Sequence, residues 1–489
     1  VLAASVTVVL VGGCGGHSSP PRSADWAEPN ANVSSTRASA GSSIDSSSVG
    51  RLRVAWRFSF PGLSGFSGFY SSTPLIVGDR VLIEDLNSNV YALSRATGKL
   101  LWDRRYRQMN GGPNGLAVSG STVYGATATS EFALALATGR QLWLRKLTTR
   151  KQPITVAPLV ANGIVYTSTT GEDPGGRGTI FALSARTGAP IWSFDTILHA
   201  WKFPKESYGG GVWDTPSLAA DGTLFAGTAN PYPFGGNEAH PNGTSYPGAV
   251  LYTDSLLALD GRGGGLKWFD QVTSHDIHDF DFQDSPILAS AGGSDLVIGA
   301  GKGGHVIAWN VKTHARVWEQ AVGVHKDDTG LLPAKPTLVC PGLLGGVETP
   351  MAYAAGEVFV PVVDLCFKES SRGSGLAFLE TNYTKGKGEL VALSAETGTT
   401  LWRKALPSPN FGCATVANDV VFTVTYDGEI YAFQTKSGAR LWSVRAPAGV
   451  NACPAVAGNM LIVGAGVLPE GSSTAQPAVV AYRVTPAGS

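Results

Sequence analysis

The sequence predicts an all-β fold, an eight-bladed β-propeller closed by pairing of its N- and C-terminal strands. Three observations carry this. A strand–turn–strand unit ending in tryptophan recurs at Trp56, Trp102, Trp143, Trp192, Trp268, Trp318, Trp402 and Trp442. A further hairpin precedes the units, as in Thr73 to Glu84, which makes four short strands per repeat, the size of a propeller blade. The composition also suits many short strands and tight turns. The 489 residues include 62 glycines and are only 15% charged, against about 25% in ordinary soluble domains.

The repeat is plainest in Tyr91-Ala-Leu-Ser-Arg-Ala-Thr-Gly-Lys-Leu-Leu-Trp102 and Val391-Ala-Leu-Ser-Ala-Glu-Thr-Gly-Thr-Thr-Leu-Trp402. The Thr-Gly pair turns the chain, because glycine tolerates positive φ. A ring recurring once per blade can dock between neighbouring blades and bury on the order of 150–250 Å². The tryptophans are therefore read as structural. The last copy, Ala478-Val-Val-Ala-Tyr482, lacks its tryptophan, and Gly50-Arg-Leu-Arg-Val-Ala-Trp56 supplies one. Pairing of the two termini in one blade would remove the open seam of the ring.

Successive tryptophans lie 46, 41, 49, 76, 50, 84 and 40 residues apart. A blade needs about 40–50 residues. The surplus in 193–267 and 319–401 must lie in loops, where function concentrates.

Residues 1–11 are apolar apart from Ser5 and Thr7, and they run into Val11-Gly-Gly-Cys14. Small residues before a cysteine at the end of an apolar run resemble the bacterial lipobox. Residues 1–13 then read as a lipoprotein signal segment and Cys14 as the lipidated residue. The run is too short for a membrane span of about 20 residues, so a lipid anchor is the only membrane attachment expected. The composition of 14–48, rich in Ser, Gly, Pro and Asn, predicts a flexible tether, with the propeller over 49–485. The expected location is outside the cytoplasm, at the cell surface or in the periplasm.

Formal net charge is zero and no basic stripe appears, which excludes nucleic acid as a partner. Cys340, Cys366, Cys413 and Cys453 predict two disulfides in an exported chain. Three pairings are open to them, and the sequential one keeps each bridge within one or two blades. No Cys-x-x-Cys-His run occurs, so no haem attachment is encoded in this sequence.

Four stretches outside the repeat go further. They are Gly209-Gly-Gly-Val-Trp-Asp214, Gly227-Thr-Ala-Asn-Pro-Tyr-Pro-Phe234, Leu251-Tyr-Thr-Asp-Ser-Leu-Leu-Ala-Leu-Asp260 and Ser274-His-Asp-Ile-His-Asp-Phe-Asp281. With the repeat, they resemble the pyrroloquinoline quinone (PQQ)-dependent alcohol dehydrogenases across residues 49–485. The resemblance implies a quinoprotein that oxidises a small-molecule alcohol, transfers hydride to PQQ and hands electrons to an external acceptor. PQQ is a flat, anionic orthoquinone. It needs an aromatic face, cations near its carboxylates and a metal to polarise its carbonyl. A base must take the alcohol proton.

The resemblance assigns those parts residue by residue. Trp213 is the floor on which PQQ stacks. Asn230 is a metal ligand, Asp279 both the catalytic base and a metal ligand, and Asp281 the extra carboxylate of lanthanide-using members. The metal is then Ca2+ or a lanthanide, and two carboxylates two residues apart on an extended segment share a face. Lys302 contacts the quinone oxygens, and Thr155 hydrogen-bonds a PQQ carboxylate. In Gly171-Glu-Asp-Pro-Gly-Gly-Arg-Gly178, either Glu172 or Asp173 falls at a further metal position. Cys340 and Cys366 stand where the family has a disulfide, and Cys413 and Cys453 hold like places in consecutive blades.

Departures accompany the matches. Met109-Asn-Gly-Gly-Pro-Asn-Gly115 replaces the vicinal cysteines that cover PQQ in many members. Asn114 stands for an arginine, Ser71 for an acidic or amide residue, Glu348 for an asparagine and His278 for a tryptophan. The metal side is kept, while the lid and one flank are altered. These changes support an alternative reading, a non-catalytic propeller lipoprotein serving as a cell-surface scaffold or binding module.

Overall fold

The computed structural model describes residues 25–486, apart from 40, 62, 65–67, 172–175, 198–207, 233, 244–249, 375–384 and 469–474. Cys14 and the leader lie outside the described residues, as do Glu172 and Asp173. No helix of the described residues is long and apolar enough to cross a membrane.

Eight antiparallel blades form the ring, over residues 75–104, 116–146, 159–195, 217–271, 287–321, 352–406, 415–445 and 455–484. They are numbered 1 to 8 in that order. Blade 8 takes its outer strand from the other end of the chain. Leu52–Ser59 pairs antiparallel with Ala478–Val484, which closes the ring as the orphaned Trp56 requires.

The tryptophan repeat has a geometric basis. In each of blades 1 to 7 the tryptophan faces an alanine of the neighbouring strand, as Trp102 faces Ala92, and a β-bulge follows that alanine. The ring then reaches the next blade. Trp56 Nε1 donates to Arg95 O at 3.0 Å, Trp102 to Leu136 O at 3.0 Å and Trp318 to Ala395 O at 2.9 Å. The next blade's turn glycine lies flat on the ring. A Cβ on Gly98 would stand 2.6 Å from Trp56, and one on Gly139 2.5 Å from Trp102. The Thr-Gly signature thus records both a positive φ and a close approach. Blade 5 has His314 in place of the glycine, and its ring stacks on Trp268 at 4.9 Å.

Residues 25–48 correct the tether reading. From Trp26 onward they run round the inner wall of the ring and bond to most of its blades in turn. Trp26 pairs with Ile76 of blade 1, and Ala27 O accepts from Val118 N–H of blade 2. Val33, Ser34 and Thr36 accept from Leu218, Leu288 and Tyr353 of blades 4, 5 and 6. Ala38–Ser39 then forms a parallel strand beside Thr415–Ala417 of blade 7, and Ser43 N–H reaches Gly458 O of blade 8. Composition alone misleads here, because three anchors among the serines and glycines decide the outcome. Trp26, Arg37 and Ile44 are each 0% exposed.

Both disulfides follow the sequential pairing. Cys340–Cys366 closes a loop within the second surplus segment, and Cys413–Cys453 joins the entry loops of blades 7 and 8.

Candidate active site

A cavity of about 430 Å³ opens near the axis of the ring. Pro29 and Asn30 of the N-terminal circuit line it, together with Trp213, Thr155, Asp279 and Lys302. Apolar surface comes from Leu343, Leu344, Phe234 and Phe411, and 111–116, the loop entering blade 2, borders it. Cys453 also lines it.

Trp213 is placed by backbone packed too tightly for side chains. A Cβ on Gly211 would lie 1.9 Å from Thr170 O. Gly210 N–H donates to Asn230 O at 2.9 Å, and Ala229 N–H donates to Gly211 O at 2.8 Å. The segment that carries the aromatic wall is therefore laced to the one that carries Asn230.

Asn230 follows the second strand of blade 4, Thr223–Gly227. Its N–H donates to Asp281 Oδ1 at 2.7 Å, and its Nδ2 to Pro231 O at 3.1 Å. The other Asp281 oxygen lies 2.7 Å from Lys302 Nζ, which also meets Asp279 Oδ2 at 3.0 Å. The bare glycine at 301 permits this. A Cβ there would stand 2.0 Å from Asp281 O, and Lys302 N–H donates to the same oxygen at 2.9 Å. Structure thus brings Asn230, Asp279, Asp281 and Lys302 together, with Trp213 and Thr155 on the same cavity.

Charge in this group is unevenly balanced. Asp254, Asp276, Asp279 and Asp281 are all buried. Burial, with Asp281 and Asp276 nearby, holds Asp279 above the usual carboxylate range despite Lys302. Burial likewise pushes up Asp254, which Asp276, Asp281 and Asp279 reinforce. Burial opposes the Lys302 ammonium, but Asp279, Asp281 and Glu348 outweigh it and hold its pKa well above the ordinary value.

On the opposite flank, Gln283 Nε2 donates to Glu348 Oε2 at 3.0 Å. Burial raises the Glu348 carboxyl to about 7. Asp214 is raised to about 8 by burial and by Glu348, against the pull of Arg37. Lys302 is the only Lys or Arg among the described residues lining the cavity.

The residues were tested against a metal-bound quinone. No three His, Cys, Asp or Glu of the described residues converge as a closed metal site. The acidic turn carrying Glu172 and Asp173 lies outside those residues. The donors present, one amide and two carboxylates, still suit an oxygen-seeking cation. Asp254 adds an uncompensated buried carboxylate, which a cation would relieve. A flat ring has Trp213 to stack on. The buried Thr155 Oγ1 and Ser71 Oγ both line the cavity without a hydrogen-bond partner, and buried polar atoms of this kind call for one. The volume lies in the range of about 300–1,000 Å³ typical of small-ligand sites. The fit is good on the metal side and at the aromatic wall. It is poorest near Glu348 and Asp214, where an anionic quinone meets carboxyls.

Sequence reasoning did not reach Asp254, Asp276, Asp214 or Arg37. Asp214, Asp254 and Asp276 lie in stretches quoted for the resemblance but had no stated role. Arg37 lay in the supposed tether.

Comparison with known proteins bears on the fold and the family. The family model described as outer membrane protein assembly factor BamB matches residues 86–339 and 369–480. The one described as the glucose/ethanol/alcohol dehydrogenase β-propeller domain matches 26–142. The chain is 24% identical over 437 residues to polyvinylalcohol dehydrogenase of a Pseudomonas species, a match covering 79% of this chain and 60% of that one. It is 27% identical over 458 residues to quinoprotein alcohol dehydrogenase PedH of Pseudomonas putida, covering 79% and 76%. Among solved structures, quinohemoprotein alcohol dehydrogenase from Comamonas testosteroni superposes with a TM-score of 0.81 at 22% identity, over 95% of this chain and 81% of that one. A europium-containing methanol dehydrogenase gives 0.77 at 20% identity, over 94% and 98%.

Proposed function

The chain belongs to the PQQ-type eight-bladed β-propeller family that includes the quinoprotein alcohol dehydrogenases, and on that premise we propose that it is a PQQ- and metal-dependent alcohol dehydrogenase. The observation that carries the reading is the Lys302 ammonium between Asp279 and Asp281, on a cavity walled by Trp213. When bound, PQQ accepts the hydride and the metal polarises its carbonyl.

The chain's own groups supply the rest. Trp213 gives the stacking face, and the Thr155 and Ser71 hydroxyls can donate to the cofactor's carboxylates. Asn230, Asp279 and Asp281, with Glu172 or Asp173, would hold Ca2+ or a lanthanide. Asp279 takes the hydroxyl proton of the alcohol as the carbinol hydrogen leaves as hydride. A carboxylate whose pKa is raised by burial is a better base than one in water, and the Lys302 ammonium beside it favours its ionised form. The apolar wall of Leu343, Leu344 and Phe411 keeps water from the reacting carbon. Electrons then pass to an external acceptor. Export and lipid anchoring through Cys14 complete the reading.

The test is reconstitution of the pure protein with PQQ plus Ca2+ or a lanthanide. Dye-linked oxidation across an alcohol panel should appear and should vanish in Asp279→Asn. Failure to bind PQQ at micromolar concentration would remove the proposal. A second reading, a non-catalytic lipoprotein scaffold, draws on Glu348 and Asp214 facing the cavity and on the long match to the assembly-factor model. A stable protein partner recovered from the native host, with no quinone spectrum, would favour it.

A further inference from the structure

Asp279 has φ 71°, a left-handed conformation that costs a non-glycine residue free energy unless its surroundings impose it. The surroundings here are specific. Asp276 straddles the residue, its Oδ1 accepting from His278 N–H at 2.7 Å and its Oδ2 from Phe280 N–H at 2.6 Å. The His278 ring stacks on Phe280, with centroids 4.7 Å apart. Its Nδ1 meets Glu369 Oε2 at 2.6 Å. Among the described residues its Nε2 is buried without a hydrogen-bond partner, so Glu369 is the one polar anchor of that ring among them.

Glu369 is itself held firmly. It is 1% exposed and lies in the strand Phe367–Ser370, opposite Thr337 of Thr337–Val339. The Cys340–Cys366 bridge ties the adjoining ends of these two strands. His278 and Asp279 line different cavities. Asp279 lines the central one, whereas His278 lines a second of about 300 Å³ beside Ile277, Phe280 and His305.

We propose that Glu369 is a positioning residue: through His278 it holds the left-handed turn that aims the Asp279 carboxylate at Lys302 and into the central cavity. This gives the second surplus segment and its disulfide a task, to present a fixed carboxylate behind the base. The proposal rests on the reading of Asp279 as the base. Supporting groups of this kind, a carboxylate orienting a functional histidine, typically matter 10- to 100-fold. A displacement of about 1 Å at a reacting group has a similar effect.

The test compares Glu369→Gln, His278→Asn and His278→Gln with the wild-type protein loaded with PQQ and Ca2+. Glu369→Gln should lower kcat about 10- to 100-fold with KM and the melting temperature little changed. His278→Asn, which keeps a donor near the Nδ1 position, should recover more activity than His278→Gln. Two readouts need no turnover. The 15N shifts of the His278 imidazole should report the Nδ1–H tautomer in wild type and lose it in Glu369→Gln. The backbone shifts of Asp279 should leave their left-handed values in the same variant. Unchanged kcat and unchanged Asp279 shifts in Glu369→Gln would overturn the proposal, as would a joint fall of kcat and melting temperature with the tautomer intact. A wild-type protein without activity would refute the dehydrogenase reading, and the two spectroscopic readouts would still decide the positioning.

Discussion

The Lys302 ammonium lies 2.7 Å from the Asp281 carboxylate, with their side chains 10% and 2% exposed. It bridges Asp281 to Asp279 in a place where buried negative charge otherwise exceeds positive. Replacing Lys302 by methionine would leave two carboxylates uncompensated. Removing one partner of a buried pair costs about 3–5 kcal/mol. We expect Lys302→Met to melt well below wild type in chelator and to regain part of the loss with Ca2+ or a lanthanide. A variant as stable as wild type in chelator would show that the ammonium does not balance this site.

Glu348 and Asp214 set a pH dependence of definite sign. Both carboxyls have folded-state pKa values raised above the unfolded ones, from 4.5 to about 7 for Glu348 and from 3.8 to about 8 for Asp214. The folded state therefore binds more protons than the unfolded chain between those limits. Their contribution to stability is fully present below about pH 4 and is lost as pH rises through 7 to 8. Melting temperatures measured from pH 5 to 8.5 should fall more steeply in wild type than in Glu348→Gln combined with Asp214→Asn. PQQ affinity should weaken over the same window, as the two groups become anions.

Some of this was legible in the sequence and some was not, for physical reasons. The ring could be read because one constraint repeats: Gly98, Gly139, Gly398 and their counterparts all lie on a tryptophan of the preceding blade. Trp56 and the strand at Ala478 could be matched because each lacked what the other had. The circuit of residues 25–48 could not be read, since its bonds are backbone bonds to most of the blades and leave no periodic pattern. Asp279, Lys302 and Trp213 were found by resemblance to a known site. Glu369 was not, because its role depends on a contact 91 positions away in the chain.

The turn glycines allow a direct test of the docking argument. Gly398 has φ 71°, and a Cβ on it would lie 2.6 Å from the Trp318 ring. Gly163 has φ 77° and nothing within 4 Å. Alanine at Gly163 meets only the backbone penalty of about 1 kcal/mol. Alanine at Gly398 adds overpacking against the indole, about 1–3 kcal/mol more. Urea unfolding should rank Gly398→Ala clearly below Gly163→Ala. Equal losses would mean that φ alone, and not contact with the ring, selects the glycine.

Arg37 gives the last and most local prediction. Its guanidinium is 0% exposed, and it donates to Ala414 O at 2.8 Å, Pro454 O at 2.8 Å, Thr415 Oγ1 at 2.9 Å and Asn30 Oδ1 at 2.9 Å. One side chain thus ties the N-terminal circuit to blades 7 and 8 beneath the cavity. Burial lowers its pKa to about 9, with Asp214 and Asp284 acting in the opposite sense. Arg37→Met would orphan several buried acceptors, at about 1–3 kcal/mol each, and would withdraw the positive charge nearest Asp214. We expect a large loss of stability, early proteolysis within residues 25–48, and an Asp214 carboxyl that stays protonated to higher pH. Arg37→Lys should recover little, because one ammonium cannot reproduce the planar fork that reaches acceptors on three segments. Recovery of wild-type stability by lysine would mean that charge, and not this hydrogen-bond geometry, fastens the circuit to the ring.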